Sequence, residues 1–208
     1  MTTFSETYLE ETRRITEAVD AGSVERLAEG LAAVRERSGR LFILGVGGSA
    51  GHAGHAVNDF RKLCGIEAYA PTDNVSELTA RINDDGWDSS YSAWLAGSHL
   101  RRDDGILVFS VGGGDRARGI STNIVNALDA AREAGCFIGG IVGRDGGHTA
   151  DVGDAVVVIP PLVEERVTAH TEGLCAVVWH LLVSHPLLQR SPTKWESSLG
   201  DAPWPPAI

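Results

Sequence analysis

Leu41-Phe-Ile-Leu-Gly-Val-Gly-Gly-Ser49 is the stretch that decides the fold. Its four apolar residues predict a short buried strand, and the glycines and serine that follow lead directly into a segment of helical periodicity. Such a junction places free backbone amides, a hydroxyl and a helix N-terminus at one point, which favours binding of an anion such as phosphate. A tight strand-to-helix turn without a ligand has the same composition, so the motif alone does not establish a site.

The chain on either side alternates short apolar runs with stretches of helical spacing. Helices are predicted at 50–63, 75–95, 123–134 and 167–188, and strands at 68–70, 105–110, 136–142 and 155–159. Short glycine-bounded runs separated by helices predict βαβ units. The expected fold class is therefore α/β, with a mainly parallel sheet between two layers of helices.

The two ends of the chain differ from this central part. Residues 5–37 carry apolar residues at helical spacing, interrupted at Asp20-Ala-Gly-Ser23, and so predict two helices. We expect residues 1–38 to pack against a partner subunit as well as the core, and residues 39–188 to form the ligand-binding domain. The proline-rich tail, residues 189–208, is predicted to be an extended arm.

Composition limits the function. The 208 residues carry a formal net charge of −10, which would repel a nucleic-acid backbone. No apolar stretch approaches the ~20 residues that a membrane span needs. The odd, widely spaced set Cys64, Cys136 and Cys175 is typical of reduced core thiols and favours the cytoplasm.

A second glycine-rich loop follows the predicted strand at 105–110. Ser110 is followed by Val-Gly-Gly-Gly-Asp115, and residues suited to a helix N-cap come at Ser121-Thr-Asn123. Two such loops at one sheet edge strengthen the phosphate interpretation. Neither contains the lysine of a nucleotide P-loop, and the first lacks the third glycine of the dinucleotide pattern, which leaves dinucleotide binding as a weak alternative.

Together these features resemble the phosphoheptose isomerase branch of the SIS (sugar isomerase) family over residues 40–185. The landmarks are the Gly-Gly-Ser turn, His55-x-x-x-Asp59, Asn83-Asp84-x-Gly86, the second serine loop, Gly143-Arg-Asp-Gly-Gly147 and His180. The resemblance implies a three-layer αβα SIS fold and interconversion of sedoheptulose 7-phosphate with an aldoheptose 7-phosphate through an enediol. It also implies a homotetramer with helices packed between subunits.

The resemblance further assigns site residues. Those implied to hold the substrate are Gly47, Gly48, Ser49, Asn83, Asp84, Ser110, Ser121 and Glu172. Asp59 is implied as the base that moves the proton between C1 and C2, and His180 as the acid/base at the oxygens. His55 and Asp59, four apart, share one helix face, and with Glu172 and His180 they are predicted to hold a divalent metal, zinc by preference.

This chain departs from the family pattern at three places. Asp59 stands where the family has glutamate, and Glu172 stands where it has glutamine. The loop from Ser110 to Ser121 is about six residues longer than the family's Ser-Thr-Ser-Gly-x-Ser. Arg116 and Arg118 in this insertion are either donors to a phosphate or sugar hydroxyl, or surface residues.

Two alternatives remain open from the sequence: a non-catalytic SIS protein, and an isomerase of the same mechanism that acts on a heptose of different stereochemistry in a surface-glycan or secondary-metabolite pathway. A non-catalytic SIS protein would bind sugar phosphates or a protein partner without needing an acid/base pair, and the joint presence of His55, Asp59 and His180 favours the enzyme. A lone histidine on a helix is more often a packing residue than a ligand. We therefore interpret the remaining histidines of the helical segments as packing residues: His52, His148, His170 and His185.

Overall fold

The computed structural model describes the backbone of residues 2–197 and the side chains of residues 2–195. Its strands are β1 Leu41–Leu44, β2 Ala68–Tyr69, β3 Gly105–Ser110, β4 Phe137–Val142 and β5 Ala155–Val158. They form one parallel sheet in the order β2-β1-β3-β4-β5. Parallel neighbours place all their carboxyl ends at one edge, and the prediction of an α/β fold is confirmed.

The helices match most of the predicted segments. They are α1 Phe4–Ala18, α2 Ala21–Glu36, α3 Gly48–Cys64, α4 Val75–Asp85, α5 Ser90–Gly97, α6 Thr122–Ala134, α7 Gly147–Val152, α8 Val167–Ser184 and α9 Lys194–Ser197. The break between the first two is shorter than predicted, because the Asp20 side chain accepts the Gly22 amide and caps α2.

The region predicted as one helix at 75–95 is two helices. α4 ends at Asp85, and the C-cap Gly86, whose φ of +86° suits glycine, stops the helix. α7 has no counterpart in the prediction. In the tail, the described part contains the short α9, while residues 198–208 of the predicted arm lie outside the described residues.

Two apolar layers cover the sheet. Alternate residues of β1 point to opposite faces: Leu41 and Ile43 pack with α2, α3 and α8, whereas Phe42 and Leu44 pack with α5 and α6. This alternation follows from the two-residue period of a strand. The prediction of helices on both faces is confirmed, and both α3 and α8 lie on the same side, where they contact one another.

Candidate functional site

The first glycine-rich turn joins β1 to α3. Gly47 is the N-cap with φ of +63° and has no side chain to cap the helix. The first helical bonds run from the Ala50 and Gly51 amides to the Gly47 carbonyl, at 3.0 and 3.3 Å. The amides of Gly48 and Ser49 precede these bonds, so the turn offers two N–H donors at a helix N-terminus, as anion binding requires.

A cavity of about 390 Å³ lies at the carboxyl edge of the sheet beside this turn. Four of the predicted substrate residues line it: Ser49, Ser110, Ser121 and Glu172. The Glu172 carboxylate approaches the turn closely, since a Cβ added to Gly48 would lie 2.6 Å from its Oε1. Four of the eight predicted substrate residues therefore line one concavity, and substrate binding there stays a prediction.

Two residues of the cavity wall have unusual backbone conformations. Ser121 has φ of +51° and Arg144 has φ of +54°, and they are two of the four non-glycine residues with left-handed φ in the described part of the chain. Ser121 precedes α6, but its side chain makes no capping bond, so its hydroxyl remains available to the cavity. Strain of this kind is commonly retained at functional sites.

Three predicted metal ligands meet between α3 and α8. Nε2 of His55 lies 3.6 Å and Nε2 of His180 lies 4.0 Å from Oδ2 of Asp59. We call His55, Asp59 and His180 the triad. Ligands of a tetrahedral zinc stand about 3.3 Å apart, given bonds of about 2.05 Å, so a small contraction would bring these three atoms onto one ion. The donor set of two imidazoles and a carboxylate fits a divalent transition metal.

The tautomer of His180 suits this role. Its Nδ1 lies 2.7 Å from the Ala176 carbonyl and can only donate there, which leaves the lone pair of Nε2 facing Asp59. The buried Trp179 supports both imidazoles, with ring centroids 4.7 Å from His55 and 3.5 Å from His180. Both histidine side chains are about half exposed, at 57% and 51%, so a ligand can reach them from solvent.

Not every predicted residue joins these groups. Glu172 stands apart from the triad: it lies eight residues, about 12 Å of helix, before His180, and its carboxylate faces Gly48. Asn83 and Asp84 are exposed on α4, bonded to each other at 2.8 Å, and do not line the cavity.

Sequence reasoning missed Arg144 and Asp145 as cavity residues. Both belong to the loop that follows β4 and line the cavity together with Ser110. The signal was present, because Gly143-Arg-Asp-Gly-Gly147 directly follows a strand whose carboxyl end must meet the same edge as β1 and β3. Ligands in open α/β sheets bind at that edge.

A separate polar cluster fixes the start of α8. The Glu11 carboxylate on α1 accepts from Arg166 at 2.6 and 2.8 Å and lies 3.0 Å from Nε2 of His170. These hydrogen bonds from Arg166 and His170 hold the pKa of Glu11 at about 2. His170 is buried and stacks on Tyr8, so here the interpretation as a packing histidine agrees with the structure.

Comparison with known proteins identifies the class. The SIS domain family matches residues 7–143, and the chain belongs to that family. The phosphoheptose isomerase of Trichlorobacter lovleyi is 34% identical over 176 residues, which cover 78% of this chain and 84% of that protein. A second relative, the phosphoheptose isomerase of Geobacter sulfurreducens, is 33% identical over 163 residues, covering 74% and 82%.

A solved structure agrees with these sequence similarities. Phosphoheptose isomerase GmhA from Neisseria gonorrhoeae matches with a TM-score of 0.74 and 25% identity, over 85% of this chain and 93% of that chain. The expected SIS fold is thereby confirmed. In the described part of the chain, no helix is long and apolar enough to cross a membrane.

Proposed function

We propose that this protein is an aldose–ketose isomerase that converts sedoheptulose 7-phosphate to an aldoheptose 7-phosphate through an enediol. The observation that carries the proposal is the connection between cavity and triad. α3 begins at the cavity with Ser49 and reaches His55 after six residues, about 9 Å of helix. α8 likewise passes from Glu172 at the cavity to His180 in the triad. The similarity to phosphoheptose isomerases supports the same reaction.

The substrate would bind with its phosphate in the cavity. The amides of Gly48 and Ser49 and the hydroxyls of Ser110 and Ser121 are the donors proposed for it. Anchoring the phosphate there directs the other end of the open-chain sugar along α3 toward the triad. This arrangement fixes C1 and C2 near the acid/base groups, which is the main contribution of substrate positioning to rate.

The chemistry is assigned to Asp59 and His180. Asp59 takes a proton from C1 of the ketose and returns it to C2, so that C1 becomes the aldehyde carbon. His180 exchanges protons with the two oxygens through Nε2, since its Nδ1 is engaged by the Ala176 carbonyl. The reaction is an internal redox exchange between neighbouring carbons and needs no external oxidant.

We further propose zinc as the metal of the triad, held by His55, Asp59 and His180 in the resting protein. Because a ligating carboxylate or Nε2 cannot carry a proton at the same time, zinc would be held by fewer protein ligands in the reactive state. Bound there, zinc would supply electrostatic stabilisation to the negative charge that develops on the enediolate oxygens. Glu172, the fourth ligand implied by the family resemblance, would have to turn from Gly48 to reach the same ion. Because the two imidazoles are half exposed, the substrate oxygens could approach an ion held there.

Turnover tests the proposal directly. The zinc-loaded protein is incubated with sedoheptulose 7-phosphate, and the product is reduced with borodeuteride and identified by mass and chromatography as an aldose. We expect conversion, accompanied by partial incorporation of solvent deuterium at C2 when the reaction runs in D₂O, because the proton held by Asp59 can exchange with water before it reaches C2. Absence of turnover with every C5 to C7 ketose phosphate, while these compounds still bind, would establish the non-catalytic alternative.

We also propose a cytoplasmic homotetramer. Apolar side chains without cover are present on α1 and α8: Phe4, Leu9, Val177 and Leu181. Burial of this area between subunits would favour association, and Asn83 and Asp84 would then be free to meet the cavity of a neighbouring subunit. Burial raises the pKa of the Cys64 and Cys175 thiols to about 12, which suits unreactive thiols of a reducing compartment. Light scattering on the purified protein measures the assembly, and a monomeric mass would contradict it.

A further inference from the structure

The insertion between β3 and α6 is an ordered turn. Asp115 and Ile120 exchange backbone hydrogen bonds of 2.9 Å in both directions, so the loop folds back on itself as a small hairpin. The Asp115 side chain also accepts the Arg118 amide at 2.9 Å. The residues at the tip, Arg116 to Gly119, therefore have a defined position relative to the cavity.

The two arginines of this turn have different surroundings. Arg116 forms an ion pair with Asp129 of α6 and does not line the cavity. Arg118 lines the cavity, and its Nε lies 3.5 Å from Oδ2 of Asp115. Its two Nη groups make no hydrogen bond to any residue that the structure describes. Asp115 is thus the ion-pair partner of Arg118, and the arginine side chain is 71% exposed, so its two Nη groups can reach a ligand in the cavity.

Arg144 presents a second guanidinium to the same cavity from the loop after β4. Its Cδ would lie 3.7 Å from a Cβ added to Gly112, so its aliphatic part lies beside that glycine, and the residue also borders a neighbouring concavity. Within residues 2–195, Arg144 has no hydrogen-bond or ion-pair partner. The cavity lining also carries three carboxylates, Asp115, Asp145 and Glu172, so Arg118 and Arg144 are the cationic donors of a wall of mixed charge.

The hydroxyl content of the loop points the same way. Between Ser110 and Ser121 the sequence contains no serine, threonine or tyrosine, so side-chain donors over this stretch come only from the arginines. A guanidinium fork matches two oxygens of a phosphoryl group, and such charge-assisted bonds are about twice as strong as neutral ones.

We propose that Arg118, assisted by Arg144, recognises the dianionic phosphoryl group of the substrate. This inference rests on the proposed function for the identity of the substrate, while phosphate binding itself is independent of turnover. The insertion would then determine specificity. It carries the guanidinium of Arg118 where the family's shorter loop carries hydroxyl groups, and this positive charge favours a dianionic phosphate over a neutral sugar or a monoanionic carboxylate.

The test compares Arg118→Gln with Arg116→Gln, two variants of the same turn that remove the same charge. Inorganic phosphate is titrated into each protein by calorimetry, and KM and kcat are measured with sedoheptulose 7-phosphate. We expect Arg118→Gln to weaken phosphate binding and to raise KM by roughly 10- to 100-fold, as for loss of one charge-assisted pair. kcat should stay within about threefold, and Arg116→Gln should change each quantity less than about twofold.

Arg118→Lys keeps the positive charge but removes the bidentate geometry of the guanidinium. We expect its phosphate affinity to lie between those of the wild type and Arg118→Gln. Equal effects of Arg118→Gln and Arg116→Gln on phosphate affinity would overturn the inference, because they would show that Arg118 acts only through the net charge of the protein and not through contact with the phosphate. If the wild-type protein binds phosphate through Arg118 but does not isomerise the sugar, the proposed function fails and this inference stands.

Discussion

The cavity at the sheet edge and the triad on the helices hold their polar groups by different means. In the cavity, backbone conformation decides: Gly48 permits close approach, and Ser121 and Arg144 take left-handed φ values. In the triad, side-chain packing decides, because His55 and His180 rest on the buried Trp179. The cavity should therefore be damaged by an added methyl group, and the triad by a removed side chain.

Removal of His180 should have the largest effect. His180→Ala deletes both a proposed acid/base and a metal ligand, so we expect kcat to fall by about 10³-fold, within the usual range for a lost acid/base group. KM should change little, because the cavity keeps its donors. Steady-state kinetics together with zinc content of the purified variant check both parts.

His52→Ala is the matched control for that variant. His52 lies on α3 one turn before His55 and outside the triad. We expect its kcat and zinc content to remain at the wild-type level. A kcat of His180→Ala within about threefold of wild type would remove His180 from the mechanism.

An added methyl group at Gly48 should affect the cavity alone. In Gly48→Ala the new Cβ would meet the Glu172 carboxylate at 2.6 Å and crowd the two free amides. We expect KM to rise about tenfold, equivalent to about 1.4 kcal/mol, with zinc content unchanged. Gly51→Ala is the control, since a Cβ there meets nothing within 4 Å. Similar KM values for the two variants would show that the turn does not hold the phosphate.

Glu172→Gln tests whether this residue acts at the cavity or at the triad. The structure places this carboxylate at the anion turn, so loss of its charge should lower KM by about threefold, as for a partly screened charge. Zinc affinity should not change if the triad holds the ion alone. A zinc affinity lower by tenfold or more would instead make Glu172 the fourth ligand, and competition with a chromophoric chelator measures the difference.

Much of the fold follows from local sequence signals. The apolar run Leu41–Leu44 and its glycines predict β1, the turn and α3, because strand period and glycine conformation are properties of a few adjacent residues. α7 is six residues long, too short to show helical periodicity, and was missed for that reason. The division between α4 and α5 depends on Gly86, which marks a break only when its positive φ is known.

The site was less predictable than the fold. Four-residue spacing brings His55 and Asp59 to one helix face, while His180 was assigned only from the family resemblance, and the structure places it beside them. The eight-residue spacing of Glu172 and His180 fixes only their backbone separation. The direction of the Glu172 side chain is set by its approach to Gly48, a tertiary contact that no local pattern records.

The smallest effect on activity is expected at Glu11, which belongs to neither region but ties α1 to the start of α8. Glu11→Gln removes the charge that Arg166 and His170 share, and we expect Tm to fall by roughly 5 °C. kcat should stay within about twofold of wild type. Glu10→Gln, which changes an exposed carboxylate of the same helix, should leave Tm nearly unchanged.

The pH dependence of Tm identifies the cause. The pKa of Glu11 is lowered from 4.5 to about 2 in the folded protein, so its contribution is complete above about pH 4.5 and disappears as the pH falls toward 2. The Tm difference between wild type and Glu11→Gln should therefore shrink across this range, as calorimetry at several pH values can measure. A difference that stays constant from pH 5 to pH 2.5 would mean that the ionised carboxylate contributes nothing and that only its packing matters.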